Sequence, residues 1–242
     1  MAISSKSGRF ATLTSWSYSV YTQYVKCPFS VCLDKIQRIR IQEPENPFFV
    51  KGNRVHDAAA AQVAGSGKIP KLSVELLPVK ALLVDLRKRG ARTEQEWAFD
   101  RQWNPVDWRD WKKAWLRIKT DICADSLEPP TVDIVDWKTG KIHEEHRLQR
   151  SLYGLGGLQL VKLGALAGGS RDTKLTAQHV YIDTGQSATE SYTMKNLEPL
   201  RREWLSRTKE MLSDTTYRPN PGFACKWCKF RKSAGGPCPE NQ

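Results

Sequence analysis

Long apolar runs are missing from this sequence. No stretch is long enough to span a bilayer, and residues 1–10 lack the apolar centre of a secretion signal. Internal repeats, low-complexity segments and a Walker motif are also absent. These absences argue against a repeat protein and a helicase motor, and they predict a cytoplasmic protein with no membrane partner.

Acidic residues are scarce relative to basic ones. The 242 residues include 38 Lys and Arg against 26 Asp and Glu, which gives a formal charge of +12 and a pI near 9.5. Such an excess favours a polyanionic partner, and nucleic acid is the simplest one. The alternative at this point is a basic surface that only keeps the protein in solution.

Residues 131–140 read TVDIVDWKTG and carry the clearest chemical pattern in the chain. Val, Ile and Thr favour a strand, and the glycine predicts a turn after it. Alternate side chains of a strand share a face, so the apolar face of Val132 and Ile134 ends in Asp136 and Lys138. A carboxylate can hold a divalent cation and an amine can orient or deprotonate water, which suits phosphodiester hydrolysis. A surface strand that ends in two solvated charges is the alternative.

The remaining apolar periodicities predict a mixed α/β fold. We expect a central mixed sheet flanked by helices, an N-terminal helical segment and a cysteine-containing C-terminal tail, all within one domain over residues 1–242. Its predicted parts are residues 14–89, 90–195 and 196–242. Helices are predicted near residues 14–27, 28–36, 52–60, 73–89, 147–163 and 197–212, and strands near residues 93–99, 116–123, 131–138, 174–183 and 188–193.

Four of the nine tryptophans lie shortly before the strand predicted at residues 131–138: Trp103, Trp108, Trp111 and Trp115. Their spacing fits either a short helix or an aromatic hairpin. Packing in the core or at its rim is the preferred interpretation. A platform on which nucleic-acid bases stack is the alternative.

Several motifs, taken in order, resemble the RecB-like branch of the PD-(D/E)XK nucleases. They are GNRVH at residues 52–56, Asp121 at a strand end, DWKTG at residues 136–140, Gln149 and Tyr153. The resemblance covers roughly residues 14–239 and implies a restriction-endonuclease-like fold. It also implies that His56, Asp121 and Asp136 bind Mg²⁺ or Mn²⁺, that Lys138 positions the attacking water, and that Gln149 and Tyr153 support it. Arg150 is implied as a phosphate contact.

The cysteines extend this resemblance. In a cytoplasmic protein, six cysteines are expected to be reduced, metal-bound or packed. Four of them resemble the iron-sulfur staple of the CRISPR-associated RecB-like exonucleases and the AddB-type helicase-nucleases: Cys27, Cys225, Cys228 and Cys238. The resemblance implies a structural 4Fe-4S cluster, with Zn²⁺ as the alternative. Cys32 and Cys123 are interpreted as packed side chains.

The chain departs from these relatives at three places. Lys119-Thr120 stands where many relatives carry glycine before the first aspartate, and the gap from Cys228 to Cys238 is long for the staple. The second acidic motif has Asp136 in place of the glutamate of Glu-x-Lys, although Asp-x-Lys is common in this branch.

The resemblance implies a metal-dependent DNA exonuclease of a prokaryotic or phage-infected cell, acting on single-stranded DNA or DNA ends. The processes it implies are recombination, repair or CRISPR spacer acquisition, and a single-strand annealing or recombination protein is an expected partner. A non-catalytic DNA-binding or scaffold protein is the rival hypothesis.

Overall fold

The structure is a computed structural model that describes residues 9–42, 45–64 and 70–240. Residues 1–8, which make up most of the N-terminal segment analysed above for a secretion signal, lie outside the described residues. The chain forms two compact units, a larger one of residues 46–204 and a smaller one of residues 1–45 with 205–242. No helix in the described ranges is long and apolar enough to cross a membrane.

A six-stranded mixed sheet organises the larger unit. Its strands are β1 (Arg92–Phe99), β2 (Pro105–Val106), β3 (Leu116–Leu127), β4 (Pro130–Lys138), β5 (Lys174–Tyr181) and β6 (Gln186–Tyr192). The spatial order is β2-β1-β3-β4-β5-β6, and every neighbouring pair is antiparallel except β4 and β5. Parallel strands need a crossover, which the helix between β4 and β5 supplies. The sheet confirms the predicted mixed α/β fold.

Helices cover both faces of this sheet. The helices α3 (Pro47–Val63) and α4 (Lys80–Lys88) share an apolar cluster with Val135 and Trp137 of β4. The helix α5 (His146–Lys162) passes close to Ile134, because Gly157 carries no side chain there. Adjacent strand residues point to opposite faces, so α5 lies on the face opposite to α3 and α4.

Two predicted helices differ from the observed ones in detail. The segment predicted at residues 73–89 begins as a 3₁₀ helix (Val74–Val79) and continues as α4, because Pro78 cannot donate a backbone hydrogen bond. The segment predicted from Pro28 is the short helix α2 (Pro28–Val31), followed by a π-helical turn (Cys32–Ile36). The tryptophan segment contains the two-residue strand β2, so the hairpin alternative describes it better than the helix.

The smaller unit joins the N-terminal helices to the C-terminal tail. It contains α1 (Tyr18–Lys26), α2 and the end of α6 (Leu197–Ser213), which begins in the larger unit. The hydroxyl of Tyr24 donates to Asp214 at 2.8 Å, and Lys229 Nζ donates to Asp34 Oδ1 at 3.1 Å. These contacts hold the tail, which has too few aliphatic residues to form a core by itself.

Gly236 is the position where the tail leaves no room for a side chain. A Cβ atom there would lie 2.2 Å from the carbonyl carbon of Phe230, and rigid backbone cannot move aside as a side chain can. We expect Gly236→Ala to lower the free energy of unfolding by at least about 1–3 kcal/mol, measured by thermal or denaturant unfolding. Gly222→Ala is the matched control, because a Cβ at Gly222 meets nothing within 4 Å. Equal stability of the two variants would contradict the close approach.

Candidate functional site

The end of β4 carries the two residues that the alternation pattern singled out. Asp136 and Lys138 share the face of β4 that looks toward α5. Lys138 Nζ lies 2.5 Å from Asp136 Oδ2 and donates to Gln149 Oε1 at 3.0 Å. Gln149 lies in the first turn of α5, the helix that follows β4. Its polar side chain therefore lies next to the end of β4. The amine is therefore held between a carboxylate and an amide oxygen.

Tyr153 links this amine network back to Asp136. It lies one helical turn after Gln149, whose Nε2 donates to the Tyr153 hydroxyl at 2.7 Å. The same hydroxyl donates to Asp136 Oδ1. Burial and the nearby charge of Asp136 raise the pKa of Tyr153 well above its usual value, so the phenol stays protonated and remains a donor. Asp136, Lys138, Gln149 and Tyr153 form a closed ring of polar contacts.

Asp121 and His56 meet beside this ring. The Nδ1 atom of His56, on α3, lies 3.2 Å from Asp121 Oδ2, and the backbone N–H of Trp137 donates to the same oxygen at 2.7 Å. Burial disfavours the charged form of His56, but the hydrogen bond and charge of Asp121 outweigh that effect and raise the pKa of His56. The charge of Asp136 acts in the same direction, which places both carboxylates around the imidazole.

His179 belongs to the same surroundings, and the sequence reasoning did not identify it. It is fully buried on β5, directly opposite Asp136 in the parallel register of β4 and β5. Its Nε2 lies 3.7 Å from Asp136 Oδ2. Burial lowers the pKa of His179 to about 3, so its ring is neutral at physiological pH. In the sequence, His179 stands at alternate positions with the apolar residues Leu175 and Ala177. This spacing predicts that His179 is buried, but it does not predict that His179 lies next to Asp136.

Arg150 is placed differently from the phosphate contact that the resemblance implied. Its side chain is buried, its Nη1 lies 3.2 Å from His179 Nδ1, and its Nη2 lies 3.7 Å from Glu190 Oε1. A guanidinium only donates hydrogen bonds, so His179 Nδ1 accepts and His179 Nε2 carries the proton that faces Asp136. Arg150 therefore fixes the tautomer of a buried histidine and does not face a substrate.

The donor atoms of this site suit a hard divalent cation. Two carboxylates and one imidazole are ligands that Mg²⁺ and Mn²⁺ accept, and Asp136 Oδ2 is buried without a hydrogen bond among the described residues, although Lys138 lies close to it. The groups contact each other directly: within the described ranges, no set of three His, Cys, Asp or Glu residues is spaced to hold a metal ion. Metal binding would therefore replace the His56–Asp121 contact, while Gln149 Oε1 continues to hold Lys138 Nζ.

The four cysteines of the predicted cluster all lie in the smaller unit, and all are partly buried and not disulfide-bonded. Burial raises the pKa of the Cys228 thiol, and the charges of Cys238, Cys27 and Cys225 act in the same direction. Backbone N–H groups face two of the sulfurs: Asn220 N lies 3.5 Å from Cys27 Sγ, and Gly222 N lies 3.4 Å from Cys225 Sγ. All four are sulfur donors in one compact unit, but within the described residues they are not spaced as a metal-binding group.

Comparison with known proteins gives a family match and a similar solved structure. The family model of the PD-(D/E)XK nuclease superfamily matches residues 15–233. No curated protein matches the chain. A solved structure described as the crystal structure of SSO0001 is 15% identical, with a TM-score of 0.41 over 96% of this chain and 89% of that one. The family model spans most of the sequence, and the chain belongs to the PD-(D/E)XK nuclease superfamily.

Proposed function

We propose that the chain is a Mg²⁺- or Mn²⁺-dependent deoxyribonuclease that acts as an exonuclease on single-stranded DNA or DNA ends. The observation that carries this proposal is the placement of Lys138 Nζ between Asp136 Oδ2 and Gln149 Oε1. The excess of basic residues supports a polyanionic substrate bound through its backbone. Membership of a nuclease superfamily supports the reaction class.

The roles of the side chains follow from their contacts. Lys138 lies beside Asp136, so its amine can hold the attacking water and offset charge that develops on the phosphate. The carbonyl oxygen of Gln149 accepts from Lys138, and its amide nitrogen donates to Tyr153. These two hydrogen bonds fix the position of the Lys138 amine. The Tyr153 hydroxyl donates to Asp136 Oδ1, and the second carboxylate oxygen, Oδ2, lies beside Lys138.

Three residues would hold the cation: Asp121, Asp136 and His56. A divalent cation bound there supplies positive charge that polarises the scissile phosphate and lowers the pKa of nearby water. His56 would have to be neutral to serve as a ligand, because only an unprotonated ring nitrogen can bind the cation. The Nε2 atom of His179 lies 3.7 Å from Asp136 Oδ2, beyond hydrogen-bond distance, so the neutral ring packs behind this carboxylate without bonding to it.

The test is cleavage of labelled single-stranded DNA with and without Mn²⁺ or Mg²⁺. We expect cleavage only with metal, and a loss of about 10²–10³-fold or more for Asp136→Asn, because the variant loses a charged ligand. Asp133→Asn is the matched control: it changes the same strand three residues earlier, where the carboxylate pairs with Arg89. If the wild type binds DNA but leaves it intact with either metal, a non-catalytic DNA-binding protein is the better account.

The exonuclease mode has its own discriminating substrate. A circular single strand has no end, so we expect the enzyme to degrade a linear strand and spare the circle of the same sequence. Cutting of both at similar rates would replace the exonuclease proposal by an endonuclease. We propose DNA recombination, repair or CRISPR spacer acquisition as the process and a single-strand annealing or recombination protein as the partner, and co-purification from the source cell tests that partner.

We further propose that Cys27, Cys225, Cys228 and Cys238 bind a structural 4Fe-4S cluster. The support is the placement of all four cysteines, from both ends of the chain, in the smaller unit, with the backbone N–H groups of Asn220 and Gly222 directed at the sulfurs of Cys27 and Cys225. Backbone N–H groups near sulfur stabilise the charged thiolates that such clusters require. Zinc remains the alternative, and metal analysis of anaerobically purified protein separates the two.

A further inference from the structure

The tryptophan segment between β1 and β3 divides into two classes in the structure. Trp103 and Trp115 are buried and pack edge-to-face, with ring centroids 5.5 Å apart. Trp108 is half-buried, whereas Trp111 is 77% exposed. The packing interpretation therefore explains two of the four, and it does not explain why a large apolar ring such as Trp111 is held in solvent.

Arg117 fixes the position of the exposed ring. Its guanidinium carbon lies 4.7 Å from the centroid of Trp111 and 5.9 Å from that of Trp108. The same guanidinium donates to the backbone carbonyls of Trp108 at 3.1 Å and Ala114 at 3.3 Å. The Arg117 guanidinium, which two backbone carbonyls hold in place, supports one face of the Trp111 ring. The other face is open to solvent.

The charges around Trp111 favour an anionic partner. Asp107 Oδ1 accepts from Arg109 N at 2.7 Å, and Asp110 Oδ1 accepts from the backbone N–H groups of Lys112 and Lys113, both at 3.0 Å. The carboxylates are thus held against the turn backbone. The side chains of Arg109, Lys112 and Lys113 are exposed beside the ring.

The segment lies at the end of the sheet where the active-site residues lie. The turn leads directly into β3 at Leu116, and five residues later the same strand carries Asp121. At about 3.3 Å per residue, Leu116 and Asp121 lie roughly 17 Å apart along the strand. Lys119, between them on the strand, is exposed, and its Nζ lies 2.6 Å from Glu94 Oε2.

We infer that Trp111, supported by Arg117 and flanked by Lys112 and Lys113, is a stacking platform for an unpaired base of single-stranded DNA. This inference deepens the proposed function, because it assigns the nuclease an unpaired strand as its substrate. Stacking on an indole requires a base whose face is free, which a duplex interior does not offer. The lysines supply contacts to the adjacent phosphates that do not depend on base identity.

The test is binding of a fluorescent oligo-dT and of an abasic strand of equal length, without added divalent metal so that neither is cleaved. We expect Trp111→Ala to weaken oligo-dT binding about tenfold or more and to leave binding of the abasic strand nearly unchanged. Trp111→Phe should restore most of the loss, because phenylalanine keeps a stacking face. Leu127→Ala, which removes an exposed apolar side chain at the other end of β3, is the matched control.

Salt dependence separates stacking from charge. Trp111→Ala should lower the affinity without changing the slope of log affinity against log salt, whereas Lys112→Gln should reduce that slope by about 0.7. Equal loss on both strands, or no loss on oligo-dT, would overturn the platform while leaving nuclease activity intact. Loss confined to oligo-dT in a chain that cleaves nothing would sustain the platform and overturn the proposed nuclease.

Discussion

Replacing Lys138 by glutamine is expected to reduce the rate of DNA cleavage by about 10²–10³-fold and to leave the affinity for single-stranded DNA nearly unchanged. The reason is that Lys138 acts at one point of the reaction, between Asp136 and Gln149, whereas DNA affinity is spread over many cations along the backbone. The measurement is single-turnover cleavage of a labelled strand beside a binding titration of the same strand. Lys141→Gln, at an exposed lysine after the strand, is the control.

Folding must be measured on the same Lys138 variant. Asp136 is almost fully buried, and removing its cation leaves a buried carboxylate that accepts from Tyr153 and lies 3.7 Å from the neutral His179. Breaking a buried ion pair is commonly destabilising, so a lower melting temperature is expected. Cleavage should therefore be compared at a temperature where both proteins are folded. Lys138→Arg should not rescue the rate, because a planar guanidinium cannot replace a compact amine between two oxygens. A parallel loss of affinity and rate would contradict a role confined to the chemical step.

The sequence predicted those parts of the site that depend on local periodicity. Strand alternation placed Asp136 and Lys138 on one face, and helical spacing placed Gln149 and Tyr153 one turn apart, as the structure has them. The mixed sheet followed from the same patterns. The proximity of His56 to Asp121 came from the resemblance alone, because no local pattern joins a helix to a strand sixty-five positions later.

The parts that the sequence could not supply depend on register between distant segments. His179 faces Asp136 only because β5 returns parallel to β4 after α5, with a register that no local pattern determines. Arg150 was interpreted as a phosphate contact because it adjoins Gln149, yet adjacent helix positions point in different directions, and Arg150 is directed toward His179 and Glu190. The division of the tryptophans into buried and exposed rings likewise depends on the turn around β2.

The second large effect is expected at the cysteines of the smaller unit. Cys225→Ser should abolish the iron and sulfide content of anaerobically purified protein and the brown absorption near ~400 nm expected of the 4Fe-4S cluster. Cys32→Ala is the matched control, because Cys32 is fully buried beside Gln37 and should cost only a small cavity. Its iron content should equal that of the wild type. A colourless wild type with one zinc per chain would replace the cluster by a zinc site and leave the cysteine assignment intact.

The structural consequence of losing the cluster is expected in the tail. Residues after Asp214 are held to the N-terminal helices by a few polar contacts, such as Tyr24 with Asp214 and Lys229 with Asp34, and by the buried ring of Tyr217. A metal centre that binds only the folded chain adds its binding free energy to folding. Without it, the remaining contacts must hold a tail that lacks its own core, so Cys225→Ser should expose the tail to limited proteolysis and lower the melting temperature by many degrees. If the variant keeps the tail protected and the melting temperature of Cys32→Ala, the polar contacts are sufficient, and the cysteines have no structural role.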